Sequence, residues 1–313
     1  MKLALAGDTM LGRGVGERLQ TVGGDALFAP ELVEVIRGAD LVVLNLECCI
    51  SARGEPFPGA VFHFRAPPWA TEVLVQLGVD CVTLANNHAL DFGADALVDT
   101  VAHLDAAGIA VVGAGTDVER ARAPVVLESA GFRLGVVALT DHPRAYAAQP
   151  QRAGVAYADL GGDELPEWVR AAIGALDVDA TLVTPHWGPN MTAEPVPHVR
   201  AAATRLCSAG ATLVAGHSAH VFHGVAPRVL YDLGDFIDDY RVERRLRNDL
   251  GLLFLVELAG DRLEAIPLKL EYAYTRLADG DDHAWIRRRF TAACAALGTD
   301  VAEDAGRLVT VWR

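Results

Sequence analysis

Positive charge is scarce in this sequence: 27 Lys and Arg stand against 41 Asp and Glu in 313 residues, a formal net charge of −14. An acidic surface repels phosphate backbones and argues against general nucleic-acid binding. It leaves small anionic substrates open, because bound divalent cations invert the local sign. Long apolar runs are missing as well. No stretch of about 18 uncharged apolar residues occurs, so no transmembrane helix and no membrane partner are expected. The opening residues, MKLALAGD, are too short an apolar segment for the roughly 7–15-residue core of a secretory leader and read as a first strand. A cytoplasmic location is the expectation. Cysteine is sparse and odd in number: Cys48, Cys49, Cys81, Cys207 and Cys294, with no C-x-x-C. That argues against a disulfide framework or a cysteine-rich zinc site and predicts buried, reduced thiols.

What is present is an α/β pattern. Hydrophobic residues make up 51% of the chain, enough for one large domain or two small ones. Short β-branched runs predict strands over 3–6, 41–46, 81–85, 110–112, 125–128, 134–139, 181–184, 212–215, 229–231, 252–258 and 263–270. Many are apolar throughout, as strands covered on both faces are. Ala/Leu-rich stretches predict helices over 31–37, 69–77, 94–107, 164–176, 198–209 and 282–297. Alternation over the first 115 residues implies parallel strands with helical crossovers. Two later segments, each centred on a Gly turn, read as hairpins, so mixed sheets are expected. Residues 145–162 and 238–249 read as surface loops, the second carrying Arg241, Arg244, Arg245 and Arg247. No composition shift marks a domain boundary.

The informative residues stand where apolar strands stop. Gly7-Asp8, Asn45-Leu46-Glu47, Asn86-Asn87-His88, Pro185-His186-Trp187 and Gly216-His217-Ser218-Ala219-His220 each follow such a strand. In open α/β sheets, sites form outside the carboxyl ends of the strands. Each motif alone has a structural reading, as a turn, a cap or a hydrogen-bonded buried histidine. Together, Asp8, Glu47, Asn87, His186, His217 and His220 supply carboxylate, amide-oxygen and imidazole donors suited to Zn, Mn, Fe or a similar ion. The set is the right size for two ions roughly 4 Å apart, which clamp the attacking and leaving oxygens of an in-line displacement.

These stretches resemble the CapA family, the poly-γ-glutamate capsule-biosynthesis proteins of the calcineurin-like metallophosphoesterase superfamily. The likeness rests on Gly7-Asp8-Thr9-Met10-Leu11-Gly12-Arg13, Asn45-Leu46-Glu47, 85–93, His186-Trp187-Gly188, 216–221 and 231–236. The resemblance implies a four-layer α/β/β/α sandwich of two mixed sheets, with 1–313 as a single domain and 240–313 as its C-terminal hairpin and helix extension. It implies one metal on Asp8, Glu47 and His220 and another on Glu47, Asn87, His186 and His217, with Glu47 bridging. His88 takes the place of the general acid, with Asp91 fixing its tautomer. Two departures stand out. The family usually has His-Pro-His where this chain has Ser218-Ala219-His220, and commonly Gly-Asn-Phe where it has Gly234-Asp235-Phe236. Asp235 reads as structural rather than catalytic.

The expected function is a dinuclear metal-dependent phosphoesterase, in which a metal-bridging hydroxide attacks phosphorus in line and His88 protonates the leaving oxygen. A metal-dependent amide or γ-glutamyl hydrolase and a non-enzymatic polymer-binding accessory protein are the alternatives. The partner expected is a small anionic substrate, phosphorylated or glutamyl. Arg13, Arg65, His142 and His223 are candidate substrate contacts; Arg13 and His142 each have a packing or structural reading too. Oligomeric state is not legible in the sequence.

Overall fold

The computed structural model describes residues 1–59 and 61–312, and for Asp25 the backbone alone. The larger sheet orders its strands as Ala302–Asp304, Arg307–Val311, Arg262–Glu271, Leu250–Glu257, Lys2–Thr9, Leu41–Leu46, Cys81–Thr83 and Ala110–Val112. Asp235–Ile237 pairs beside Lys2–Thr9, and Tyr274–Leu277 beside Arg262–Glu271. The smaller sheet runs Val225–Ala226, Val229–Leu230, Leu213–Ala215, Ala180–His186, Phe132–Thr140 and Val125–Ser129. The four N-terminal strands of the larger sheet are parallel, and the hairpin Leu250–Glu257/Arg262–Glu271 joins them antiparallel at Lys2–Thr9. Both sheets are therefore mixed.

Side-chain alternation along the strands builds the layers. Leu3 and Leu5 face one way from their strand, Ala4 and Ala6 the other. The first set joins Val43, Leu252 and Phe254 against Leu134, Val136, Leu182 and Leu213 of the smaller sheet, making a core between the two sheets. The opposite face of the larger sheet packs on Leu19, Leu32, Ile36, Leu74 and Leu97 of helices Arg13–Val22, Pro30–Arg37, Thr71–Leu77 and Gly93–Ala106. The far face of the smaller sheet packs on Val169, Ile173, Val199 and Leu206 of helices Glu167–Gly174 and Pro197–Ser208. The result is an α/β/β/α sandwich. Each fully buried Leu or Phe in it stabilises by roughly 1.5–3 kcal/mol. All five cysteines are free, and Cys207 alone of them is less than fully buried.

Three features differ from the sequence reading. Residues 145–162 are not a surface loop: Tyr146, Val155, Ala158 and Leu160 are buried, and Gly154–Val155 pairs with Ala114–Gly115. Spacing along that segment has neither period, so its apolar content was not recognisable as core. Helix Arg13–Val22 was missed because Gly14 and Gly16 dilute its pattern; Gly14 lies against Tyr272 and Asp239, where a Cβ has no room. Tyr274–Leu277, Ala302–Asp304 and Arg307–Val311 were missed as short strands that pair at the sheet margin. Segment 238–249 is an irregular connection whose middle is exposed and whose ends, Asp238, Asp239, Asn248 and Asp249, are buried.

One close approach positions everything at the strand ends. A Cβ on Gly7 would lie 1.8 Å from the Gly234 carbonyl oxygen, and the Asp8 N–H donates to that same oxygen at 2.9 Å. Two backbones can meet this tightly only at glycine. Replacing Gly7 with Ala is expected to cost about 1–3 kcal/mol, as overpacking of a tight contact does. A urea denaturation midpoint that stays at the wild-type value would show that the contact is slack.

Candidate metal centre

Strand Lys2–Thr9 carries Asp8 at its carboxyl end, next to Asn45 on one side and Asp235 on the other in the pairing register. The register shifts between Ala6 and Asp8, and a shift of this kind re-aims the side chain that follows it. Glu47 is held one step further on, its N–H donating to Thr9 O at 2.9 Å. In the smaller sheet His186 ends strand Ala180–His186 and forms a parallel bridge to His217. The Trp187 indole donates to Tyr231 O at 2.9 Å and pins the turn from behind.

The histidine loop is braced by Asp232, whose two oxygens accept from Ala219 N at 2.8 Å and Gly234 N at 2.9 Å. Ser218 and His220 both sit at positive φ, 113° and 58°. Residues other than Gly hold such conformations where surrounding contacts over-determine them. The Ser218-Ala219 departure thus leaves His217 and His220 in one pocket.

There the donors converge. The ligand atoms of Asp8, Glu47 and His186 lie within 4.8 Å of one another, as do those of Asp8, His220 and Asp235. His217 Nδ1 is 3.3 Å from Asp8 Oδ1, and His220 Nδ1 is 3.4 Å from Asp8 Oδ2. His186 Nδ1 approaches Glu47 Oε1 at 3.5 Å. Asp8 is the residue common to both groups, whereas the resemblance assigned the shared place to Glu47. Asn86 was a motif residue without a role; its amide donates to Asn45 Oδ1 at 2.9 Å, and Asn45 donates to Asp8 Oδ1 at 2.8 Å, so the two asparagines orient the central carboxylate.

Satisfaction is incomplete in this pocket and in a telling way. Among the described residues, Asp8 Oδ2, both oxygens of Glu47, His186 Nδ1 and His217 Nδ1 are buried there without a hydrogen-bond partner, and Asn87 Oδ1, next in the chain to Asn86, is another such atom. Buried polar atoms are normally paired, and a cluster of unpaired acceptors is costly unless a cation meets them. The atoms left over are metal-donor types, so the residues fit divalent cations. Charge follows the same logic. Burial alone would raise the Asp8 carboxyl, but His217, 3.3 Å away, and the other facing imidazoles hold it below the usual carboxylate range. Burial, then the charge of Asp8, pushes Glu47 well above that range. Burial drives His186 down towards the neutral imidazole a ligand needs. For His220 burial works downward, yet Glu47, Asp8 and Asp232 raise it overall.

Two histidine–carboxylate pairs adjoin the pocket, one reached from His220 through Tyr240 and Phe64, the other packed on His186. His88 Nδ1 meets Asp91 Oδ2 at 2.8 Å, and Phe64 N donates to the same oxygen at 2.7 Å. The His88 ring packs on Phe64 with centroids 4.2 Å apart. Arg13 stands over Phe64 at 5.3 Å and pairs with buried Asp239 at 3.2 Å, on this same wall. On the other side His142 bonds Asp141 through Nδ1 and sits 5.2 Å, centroid to centroid, from His186. Asp141 also accepts from Gly188 N and faces His198, and these groups line a cleft of about 400 Å³. Arg65 lies over Phe92 and reaches the carbonyls of Arg53 and Gly54, so its polar contacts lie outside the cluster. His223 is buried and bonds Thr192 O through Nε2, again outside it. Sequence reasoning missed Asn45, Asp235 and Tyr240 as members of the pocket. Tyr240 stands edge-on to His220 at 5.2 Å, and no spacing rule pointed to it.

The sequence compares with known proteins as follows. The family model described as Bacterial capsule synthesis protein PGA_cap matches residues 2–240. The chain is 30% identical to the "Probable polyglutamine synthesis accessory protein" of Mycobacterium tuberculosis strain H37Rv, covering 98% of this chain and 94% of that one. It is 25% identical to the PGA biosynthesis protein CapA of Bacillus subtilis, covering 87% and 72%. Among solved structures it is similar to a novel phosphatase of Mycoplasma pneumoniae, at 13% identity and a TM-score of 0.47, over 88% of this chain and 90% of that one.

If the unpaired donors are a cation site, Mn²⁺ at a hundred times its Kd should stabilise the fold by about 2.7 kcal/mol. Differential scanning fluorimetry reads this as a rise in the melting midpoint. A midpoint indifferent to Mn²⁺, Fe²⁺ and Zn²⁺ alike would remove the metal centre.

Proposed function

The chain belongs to the bacterial capsule synthesis protein family PGA_cap, and from that membership and the pocket around Asp8 we propose that it is a two-cation hydrolase of small phosphate esters. The observation that carries the reading is the set of unpaired buried donors on Asp8, Glu47, Asn87, His186 and His217, with the His88–Asp91 pair beside it. His220 completes the cation-holding set through its contact with Asp8. Bound there, two divalent cations supply a lowered pKa for water and neutralisation of charge developing on the phosphoryl oxygens.

The chain's own residues divide the remaining work. Asn45 and Asn86 keep the Asp8 carboxylate in one orientation, so the site is set before substrate arrives. Asp91 accepts from His88 Nδ1, which leaves Nε2 as the nitrogen that delivers a proton to the leaving oxygen. Phe64 packs on the His88 ring and lends its backbone N–H to Asp91, fixing both partners. Arg13 is the cationic group of that wall and suits an anionic substrate. The cleft beside His142 and His198 has room for the rest of a small molecule.

A second reading is favoured by the relatives, whose names place them in polyglutamine and PGA synthesis. In it the same pocket polarises the carbonyl of a γ-glutamyl amide. A third keeps the pocket as a structural cation site in a polymer-binding accessory protein.

Turnover of 4-nitrophenyl phosphate and phenyl phosphate against turnover of γ-glutamyl peptides, with Mn²⁺ present, separates the three. Ester turnover alone supports the first, peptide turnover alone the second, and polymer retention without turnover the third. Under the first, His88→Asn should lower kcat by about 10²–10⁴, the usual worth of a positioned acid, with metal content by mass spectrometry unchanged. Unaltered turnover in that variant would remove His88 from the mechanism. Glu47→Gln and Asn87→Ala should instead lower metal content.

A further inference from the structure

Asp235 stands apart from the other acids of its segment. Asp232 gives both oxygens to backbone amides, and Asp239 takes Gly14 N and Arg13. Asp235 binds no backbone amide. It is 2% exposed, one oxygen lies 2.8 Å from His220 Nδ1, and the other has no partner. Its position is set by backbone: strand Asp235–Ile237 runs parallel to Lys2–Thr9 with Asp235 opposite Asp8. His220 Nδ1 is thereby aimed between Asp235 Oδ1 at 2.8 Å and Asp8 Oδ2 at 3.4 Å. The three residues offer ligand atoms within 4.8 Å of one another.

We infer that Asp235 is a metal ligand, closing with Asp8 and His220 an oxygen-rich half-site suited to Mn²⁺. Two carboxylates with one imidazole make an oxygen-rich set, which suits Mn²⁺ better than an imidazole-rich one does. This rests on the two-cation reading and adds a donor that the six residues named for it do not include.

The test is Asp235→Asn, which keeps the side-chain shape and removes the charge. After Mn²⁺ loading and desalting, the metal content of the variant by mass spectrometry is expected to fall below the two ions per chain expected of wild type. In calorimetric titration the weaker of the two Mn²⁺ binding steps should lose at least tenfold in affinity, with a smaller loss for Zn²⁺; even an outer partner of a ligand is worth about 10–100-fold. A crystal structure of the Mn²⁺-soaked wild type, independent of any variant, should show an Asp235 oxygen about 2.0–2.2 Å from an anomalous peak, the usual carboxylate–metal distance. Two ions bound equally tightly by wild type and variant, or a peak more than about 3 Å from Asp235, overturn this inference alone. A wild type that takes up no divalent cation overturns the two-cation reading and this inference with it.

Discussion

Three carboxylates, Asp8, Glu47 and Asp235, are buried within one pocket and face three imidazoles across it. Like charges this close repel strongly where water is excluded, and burial with the charge of Asp8 pushes Glu47 well above the usual carboxylate range. The fold around them is arranged to prevent their moving apart. Asp8 and Asp235 are neighbours in a strand pair, not tips of flexible side chains on separate loops. The Gly7–Gly234 contact brings the two backbones together, and Asp232 ties the histidine loop to the same turn. The Asn86–Asn45–Asp8 chain of amides then sets how the central carboxylate is turned. A pocket built in this way has its electrostatic strain fixed by backbone hydrogen bonds, and a divalent cation is the simplest group that relieves it.

The surroundings of the pocket are unequal. On one wall His88, Phe64, Arg13 and Asp239 form a continuous packed series that leads from an imidazole to a guanidinium. On the other, Asp141 gathers His142, Gly188 and His198 around an open cleft. The first wall is aromatic and tightly packed, as suits a group that must keep its orientation. The second is polar and partly exposed, as suits variable contacts with the bulk of a ligand.

Much of this was legible in the sequence because apolar strands announce their own ends. Asp8, Glu47, Asn87, His186, His217 and His220 each stand within a few residues of such an end, and the structure brings Asp8, Glu47, His186, His217 and His220 together. The paired hairpin strands and the parallel order of the first four strands were visible for the same reason. What stayed hidden depends on pairing between distant segments. Asp235 looked like a turn residue because nothing local shows that its three-residue strand lies beside Lys2–Thr9. Asn45 looked like the start of a turn, since its acceptor lies 37 positions away. The burial of 145–162 was concealed by its lack of period, with isolated side chains such as Tyr146 and Val155 reaching the core one at a time.

The union of Asp8 with Asp235 spans more than two thirds of the chain, and that separation has a bearing on biosynthesis. A ribosome must deliver the strand Asp235–Ile237, and the Leu250–Glu257 strand that flanks Lys2–Thr9 further along the same margin, before the first strand has all its neighbours. Contacts of such long sequence separation form late because the loop they close is entropically expensive. The nascent N-terminal half therefore carries Asp8, Glu47 and Asn87 without their imidazole partners. The complete pocket exists only after translation has passed it, so a cation that needs all its donors can be held by the finished protein alone.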